Sequence, residues 1–133
     1  MITDNMTLLV TAAFLVKHDI ADFYLQTPYM LGKGKSGSAW VLPLSAHCLV
    51  HAAFTLGILL LYKPTFAIQL SALEFAIHFI VDRIKATYKA GPDGQWNFPE
   101  KGKYLSNYYR ALGNDQLAHG LTYILLIFIC INF

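Results

Sequence analysis

The run WVLPLSAHCLVHAAFTLGILLLY, residues 40–62, contains no Asp, Glu, Lys or Arg. At 1.5 Å of rise per residue, a helix of that length crosses a hydrocarbon layer of about 30 Å. The C-terminal run QLAHGLTYILLIFICINF, residues 116–133, is equally free of those four residue types. A third apolar stretch, about 65–85, carries Glu74 and Asp82 within it. The first is less clean. Met6 to Val16 is apolar, but Lys17, His18, Asp19 and Asp22 follow, and spanning length is reached only if the helix continues to about Thr27, where Pro28 stops it. A cleaved signal segment is the alternative there, but the preceding MITDN has no basic residue and carries Asp4. The expectation is one all-α domain, residues 1–133: an integral membrane bundle of four transmembrane helices over about 6–27, 40–62, 65–85 and 113–133.

Composition agrees. Of 133 residues, 56% are hydrophobic and 14% charged, against about 25% charged in an average soluble domain. That excludes an intrinsically disordered chain and a disulfide-stapled secreted scaffold. The net charge of +2 is too small to make nucleic acid the main partner. Cys48 and Cys130, far apart in apolar stretches, read as packing residues.

Lysine and arginine set the orientation. Lys33 and Lys35 lie between the first two spans, and Lys89, Lys101, Lys103 and Arg110 follow the third, whereas the other side has only Lys63. The positive-inside rule makes both basic connections cytoplasmic and puts both termini outside. Tyr24, Tyr29, Trp40, Tyr62, Tyr88 and Tyr104 fall near span ends, where amphipathic rings prefer to sit. Residues 91–99, GPDGQWNFP, read as a turn-rich loop, and Lys103 to Leu112 as a short amphipathic segment on the cytoplasmic membrane surface.

All five histidines fall in these spans, each with a metal-ligand residue type four positions away: His18 with Asp22, His47 with His51, His78 with Glu74 and Asp82, His119 with Asp115. Residues four apart share a helix face. Each ionisable group in hydrocarbon costs at least about 2.5–3.5 kcal/mol, so such a collection must satisfy itself against something. Counted from the cytoplasmic ends of the spans, all four sets lie within roughly 3–17 Å of one face. One polar cluster fed by four helices is the economical reading. The bland alternatives are packed histidines, Asn114 as an N-cap with Asp115 favoured by the helix dipole, and Lys17 or Arg83 simply paired with nearby aspartates. Mixed imidazole and carboxylate donors suit Zn²⁺, Mn²⁺ or Fe²⁺, and eight or nine of them suffice for one or two ions.

The runs KHDIADFYLQTPYM (17–30), HCLVHA (47–52), EFAIHFIVDRIKA (74–86) and YYRALGNDQLAHGLTY (108–123) resemble a family of small polytopic bacterial and phage membrane proteins of unknown function. That family is in turn distantly similar to membrane-bound metal-dependent hydrolases. The resemblance covers about Leu8 to Ile129, and its most specific pieces are the HxxxD of the first and third spans and the final DQxxH. It implies His18, Asp19, Asp22, His47, His51, His78, Asp82, Asp115 and His119 as the polar site positions, in a bacterial inner membrane or a phage-infected host membrane.

The function expected from the residues is metal-assisted hydrolysis of an anionic lipid or phosphoester near the cytoplasmic face. Asp22 or Glu74 would act as general base, with Lys17 and Arg83 attracting the anionic headgroup. Two other classes stand beside it: a channel or transporter subunit using the same residues as a proton or metal pathway, and a non-catalytic subunit of an oligomer or larger membrane assembly.

Overall fold

The computed structural model describes residues 4–89 and 103–133, all of whose regular structure is helical. The loop expected over residues 91–99 lies outside the described residues. Helix α1, Asp4–Asp19, contains no Gly or Pro to interrupt it. It then widens into a π-helical turn, Ile20–Tyr24, closed by the Leu25 N–H donating to the Ile20 carbonyl five residues back at 2.9 Å. Pro28 follows. The first helical stretch is therefore two kinds of helix in series.

Helix α2, Val41–Tyr62, has Pro43 in its first turn, where the missing N–H leaves no intrahelical bond unmade. Pro64 opens a short 3₁₀ turn, Pro64–Phe66, that leads directly into α3, Ala67–Lys89. Helix α4 runs without a break from Lys103 to Asn132. The segment expected to lie separately on the membrane surface, Lys103 to Leu112, is instead the start of this helix. Gly113 lowers helix propensity by only about 1 kcal/mol, too little to end a helix whose later turns are anchored by packing. Asn114 and Asp115 are accordingly interior residues rather than a helix start.

The helices form a ring in which α1 packs on α2 and α4, and α3 packs on α2 and α4. The core has two halves. At the end formed by the start of α1 and the end of α4, Val10, Phe14, Leu59, Leu70, Tyr123 and Leu126 make a dry apolar layer, with Phe14 and Tyr123 stacked at 5.1 Å. The other half is ionisable: His47, His51, Glu74, His78, Asp82 and His119 are all at most 1% exposed. Conversely, Leu8, Leu61, Ile68, Ile80, Leu121 and Phe128 point outward, each more than half exposed. Charged groups inside and large apolar groups outside reverse the arrangement of a water-soluble domain. Three helices, Val41–Tyr62, Pro64–Thr87 and Tyr109–Asn132, are long and apolar enough to cross a membrane, consistent with a membrane protein.

The connection between α1 and α2 folds inward. Met30–Gly34 forms a 3₁₀ turn packed on α2 and α3, and Gly32, Lys33 and Gly34 are buried. Gly32 lies close to α2 there: a Cβ would sit 3.2 Å from Cγ of Pro43, tighter than ordinary van der Waals contact.

Candidate metal centre

Each helix contributes through the four-residue spacing. Helix α2 presents His47 and His51 inward, α3 presents Glu74, His78 and Asp82, and α4 presents Asp115 and His119. His18 comes from the last turn of α1, and the π-helical turn carries Asp22 back into the core, 3.3 Å from His18 Nε2. Asp19 is exposed and outside the cluster: one position past His18, it is rotated by about 100° on the helix.

Asp22 and Asp82 organise the centre. Asp22 Oδ1 lies 3.2 Å from His47 Nε2 and 3.2 Å from His51 Nε2. Gln116 Nε2 donates to Asp22 Oδ2 at 3.4 Å. Asp82 Oδ2 is 3.3 Å from the same His47 nitrogen, while its Oδ1 is 3.3 Å from His119 Nε2 and 3.8 Å from His78 Nε2. His78 is central, its ring centroid 3.9 Å from that of His51 and 4.0 Å from that of His119. His18 Nδ1 is hydrogen-bonded to the Tyr123 hydroxyl at 2.8 Å, at the border of the apolar layer.

Two donor sets result. Asp22, His47, His51 and His78 offer atoms that all lie within 4.8 Å of one another, and so do His78, Asp82 and His119. These buried groups can hold a metal ion. Both ring nitrogens of His78 and of His47 make no hydrogen bond, although His47 Nε2 sits between two carboxylates. Leaving a buried polar atom unpaired costs about 1–3 kcal/mol, so a concentration of them calls for a ligand. The spacings fit one. Two donors each 2.0–2.1 Å from a tetrahedral ion stand about 3.3–3.4 Å apart, close to the 3.2 Å of Asp22 Oδ1 from His47 and His51. The His51 Nε2 contact with Asp22 Oδ1 is also a hydrogen bond at 3.2 Å, longer than a charge-assisted one at about 2.7–2.9 Å.

Charge points the same way. Three cluster carboxylates are matched by lysines: Glu74 by Lys17, Asp82 by Lys33 and Asp115 by Lys85. Among the described residues, no lysine or arginine nitrogen lies within 4.0 Å of Asp22, whose ion-pair partners are imidazoles. The cluster thus carries one buried carboxylate more than its ammonium groups.

Lys17, expected to meet a headgroup, is 3% exposed; its ammonium is held by Glu74 and donates to the His51 carbonyl at 3.3 Å. Arg83 lies over the Trp40 ring at 3.9 Å and donates to the Lys33 carbonyl at 3.2 Å. Glu74 Oε2 makes no hydrogen bond. The residues that sequence reasoning missed are Lys33, Lys85, Gln116 and Tyr123. For Lys33 there was a signal, its position between Gly32 and Gly34, which marks close backbone approach. A cavity of about 550 Å³ opens between α3 and α4, lined by Val81, Ile84, Lys85, Arg110, Asn114 and Asp115 among others. It adjoins the centre, since Asp115 Oδ1 is 3.6 Å from His119 Nε2.

Fold and site together define a helical-bundle protein whose buried histidine and aspartate centre can hold metal. Residues 10–133 match the family described as "Protein of unknown function (DUF3307)", and the chain belongs to it. No curated protein and no solved structure matches the chain.

Proposed function

We propose that this protein is a membrane-embedded, metal-dependent hydrolase acting on an anionic lipid or phosphoester near the cytoplasmic face of a bacterial inner membrane. The four helices all span, with both termini outside. The observation that carries the proposal is the buried Asp22 carboxylate, with no lysine nitrogen within 4.0 Å among the described residues and 3.2 Å from two imidazoles. Asp22, His47 and His51, with His78 beside them, would hold a divalent transition-metal ion such as Zn²⁺, Mn²⁺ or Fe²⁺. When bound, such an ion lowers the pKa of water and polarises a phosphoryl or carbonyl oxygen.

The chain's own groups do the rest. Glu74 keeps one oxygen on Lys17 and the other without a hydrogen bond, so it is the carboxylate left to accept a proton from attacking water. The α3–α4 cavity supplies the approach, with Lys85 and Arg110 for the anionic head and Val81 and Ile84 for the apolar part. The apolar layer around Phe14 and Leu126 fills the other half of the core, which favours a site over a conduit.

The test is hydrolysis by the detergent-purified chain loaded with Zn²⁺ or Mn²⁺, on vesicles of anionic phospholipid and on soluble phosphoesters. Activity should vanish with chelator and with His51→Ala. A folded, metal-loaded protein that releases no product from any of them overturns the hydrolase proposal.

A further inference from the structure

The two donor sets share His78 but differ in what already neutralises them. Asp82 Oδ2 accepts a hydrogen bond from Lys33, and both side chains are at most 4% exposed. Both aspartates face imidazoles, His47 Nε2 lying between them, but Asp22 has the Gln116 amide beside it and, among the described residues, no lysine nitrogen within 4.0 Å. Nor is Lys33 a surface side chain that has drooped inward. Lys33 and the glycines on either side are buried, Gly32 fits closely against Pro43, where a Cβ would sit 3.2 Å from the ring, and the Lys33 carbonyl is clamped by Arg83, itself stacked on Trp40. The ammonium is delivered to Asp82 by the fold.

From this we infer that the two sets take different cations. A divalent transition-metal ion belongs to Asp22, His47, His51 and His78, and the ammonium of Lys33 is the resident cation of Asp82, His78 and His119. The inference rests on the metal-centre proposal above and fixes its stoichiometry at one ion per chain. A divalent ion on Asp82 would face the ammonium across a single carboxylate in a poorly hydrated core, where like charges repel far more strongly than in water. A second ion therefore enters only if Lys33 leaves. Lys33 is a positioning residue: it keeps Asp82 and His119 off the metal and selects which set is loaded.

The experiment counts metal on the full chain in detergent, stripped by chelator, reloaded with Zn²⁺ and desalted. Wild type should carry one zinc, with X-ray absorption showing three imidazoles per ion, as the first set offers, rather than the two of the second. Asp22→Asn should fall to background. Lys33→Met should rise from one zinc to two, His78 staying with the first ion and Asp82 and His119 holding the second. Removing both charges together, in Lys33→Met with Asp82→Asn, leaves neither an orphaned ammonium nor an orphaned carboxylate and should still bind one. Two zincs on wild type, or one zinc kept by Asp22→Asn and lost by the double variant, overturns the assignment while leaving a metal centre standing. Failure of wild type to take up zinc at all overturns the metal centre itself, and the assignment with it.

Discussion

Replacing Asp22 by Asn should change stability with opposite signs in the presence and absence of metal. Without metal, Asp22 is a buried anion facing His18, His47 and His51 with no ammonium within 4.0 Å among the described residues. Asn has the same shape and no charge, and a buried charge lacking a full counter-charge contributes little or negative stability. The metal-free variant should therefore melt within about 1 kcal/mol of wild type, or above it. With metal the order inverts. A ligand bound only by the folded chain, present at 100 times its Kd, stabilises by about 2.7 kcal/mol. For a chain of this size each kcal/mol is about 3–5 °C in Tm, so wild type should gain about 8–13 °C with zinc and Asp22→Asn almost nothing. Asp82→Asn is the control, because it orphans the buried ammonium of Lys33 and should lose about 3–5 kcal/mol with or without metal. Differential scanning fluorimetry in detergent, with excess Zn²⁺ or with chelator, reads all three proteins. If Asp22→Asn keeps the zinc-dependent rise, or falls equally under both conditions, Asp22 is a structural hydrogen-bond acceptor and the charge argument is wrong.

Two further outcomes follow from the same geometry. Lys17→Met should destabilise by about 3–5 kcal/mol by orphaning Glu74, whereas Lys17→Met with Glu74→Gln should recover most of that loss, measured by thermal or steric-trapping unfolding; equal losses in both would mean that packing of the lysine stem dominates. In a Cys48→Ser, Cys130→Ser background, a cysteine at exposed position 37 should resist membrane-impermeant maleimide in intact cells and one at exposed position 5 should label, and the reverse pattern would invert the orientation.

How much of this was legible in the sequence varies by element. The helices around 40–62, 65–85 and 113–133 were readable because charge-free or charge-poor runs of spanning length have few alternatives. The shared face of each four-residue pair was readable because helix periodicity is local. The first helical stretch was only partly legible. Its polar second half, Lys17 to Asp22, left its length dependent on a continuation to about Thr27, and the structure shows that continuation as a π-helical turn that sets Asp22 beside the imidazoles of α2. The break expected before Gly113 did not occur, since one glycine does not outweigh the packing of α4.

The sequence alone determined that apolar helices enclose ionisable groups, and which of those groups travel together along one helix face. Composition and a period of 3.6 suffice for that, because both are properties of neighbouring residues. Only the tertiary structure decided which charges meet. Lys17 crosses from α1 to Glu74 on α3, Lys33 re-enters from a loop that composition marked as cytoplasmic surface, and Asp22 is left without an ammonium partner among the described residues. Those pairings depend on the rotation of each helix about its axis and on a buried Gly-Lys-Gly turn seated against Pro43. Where large apolar side chains such as Leu61, Ile68 and Phe128 also face outward, hydrophobic sidedness is a weak guide to that rotation, and the ion pairs and imidazole contacts inside add to it.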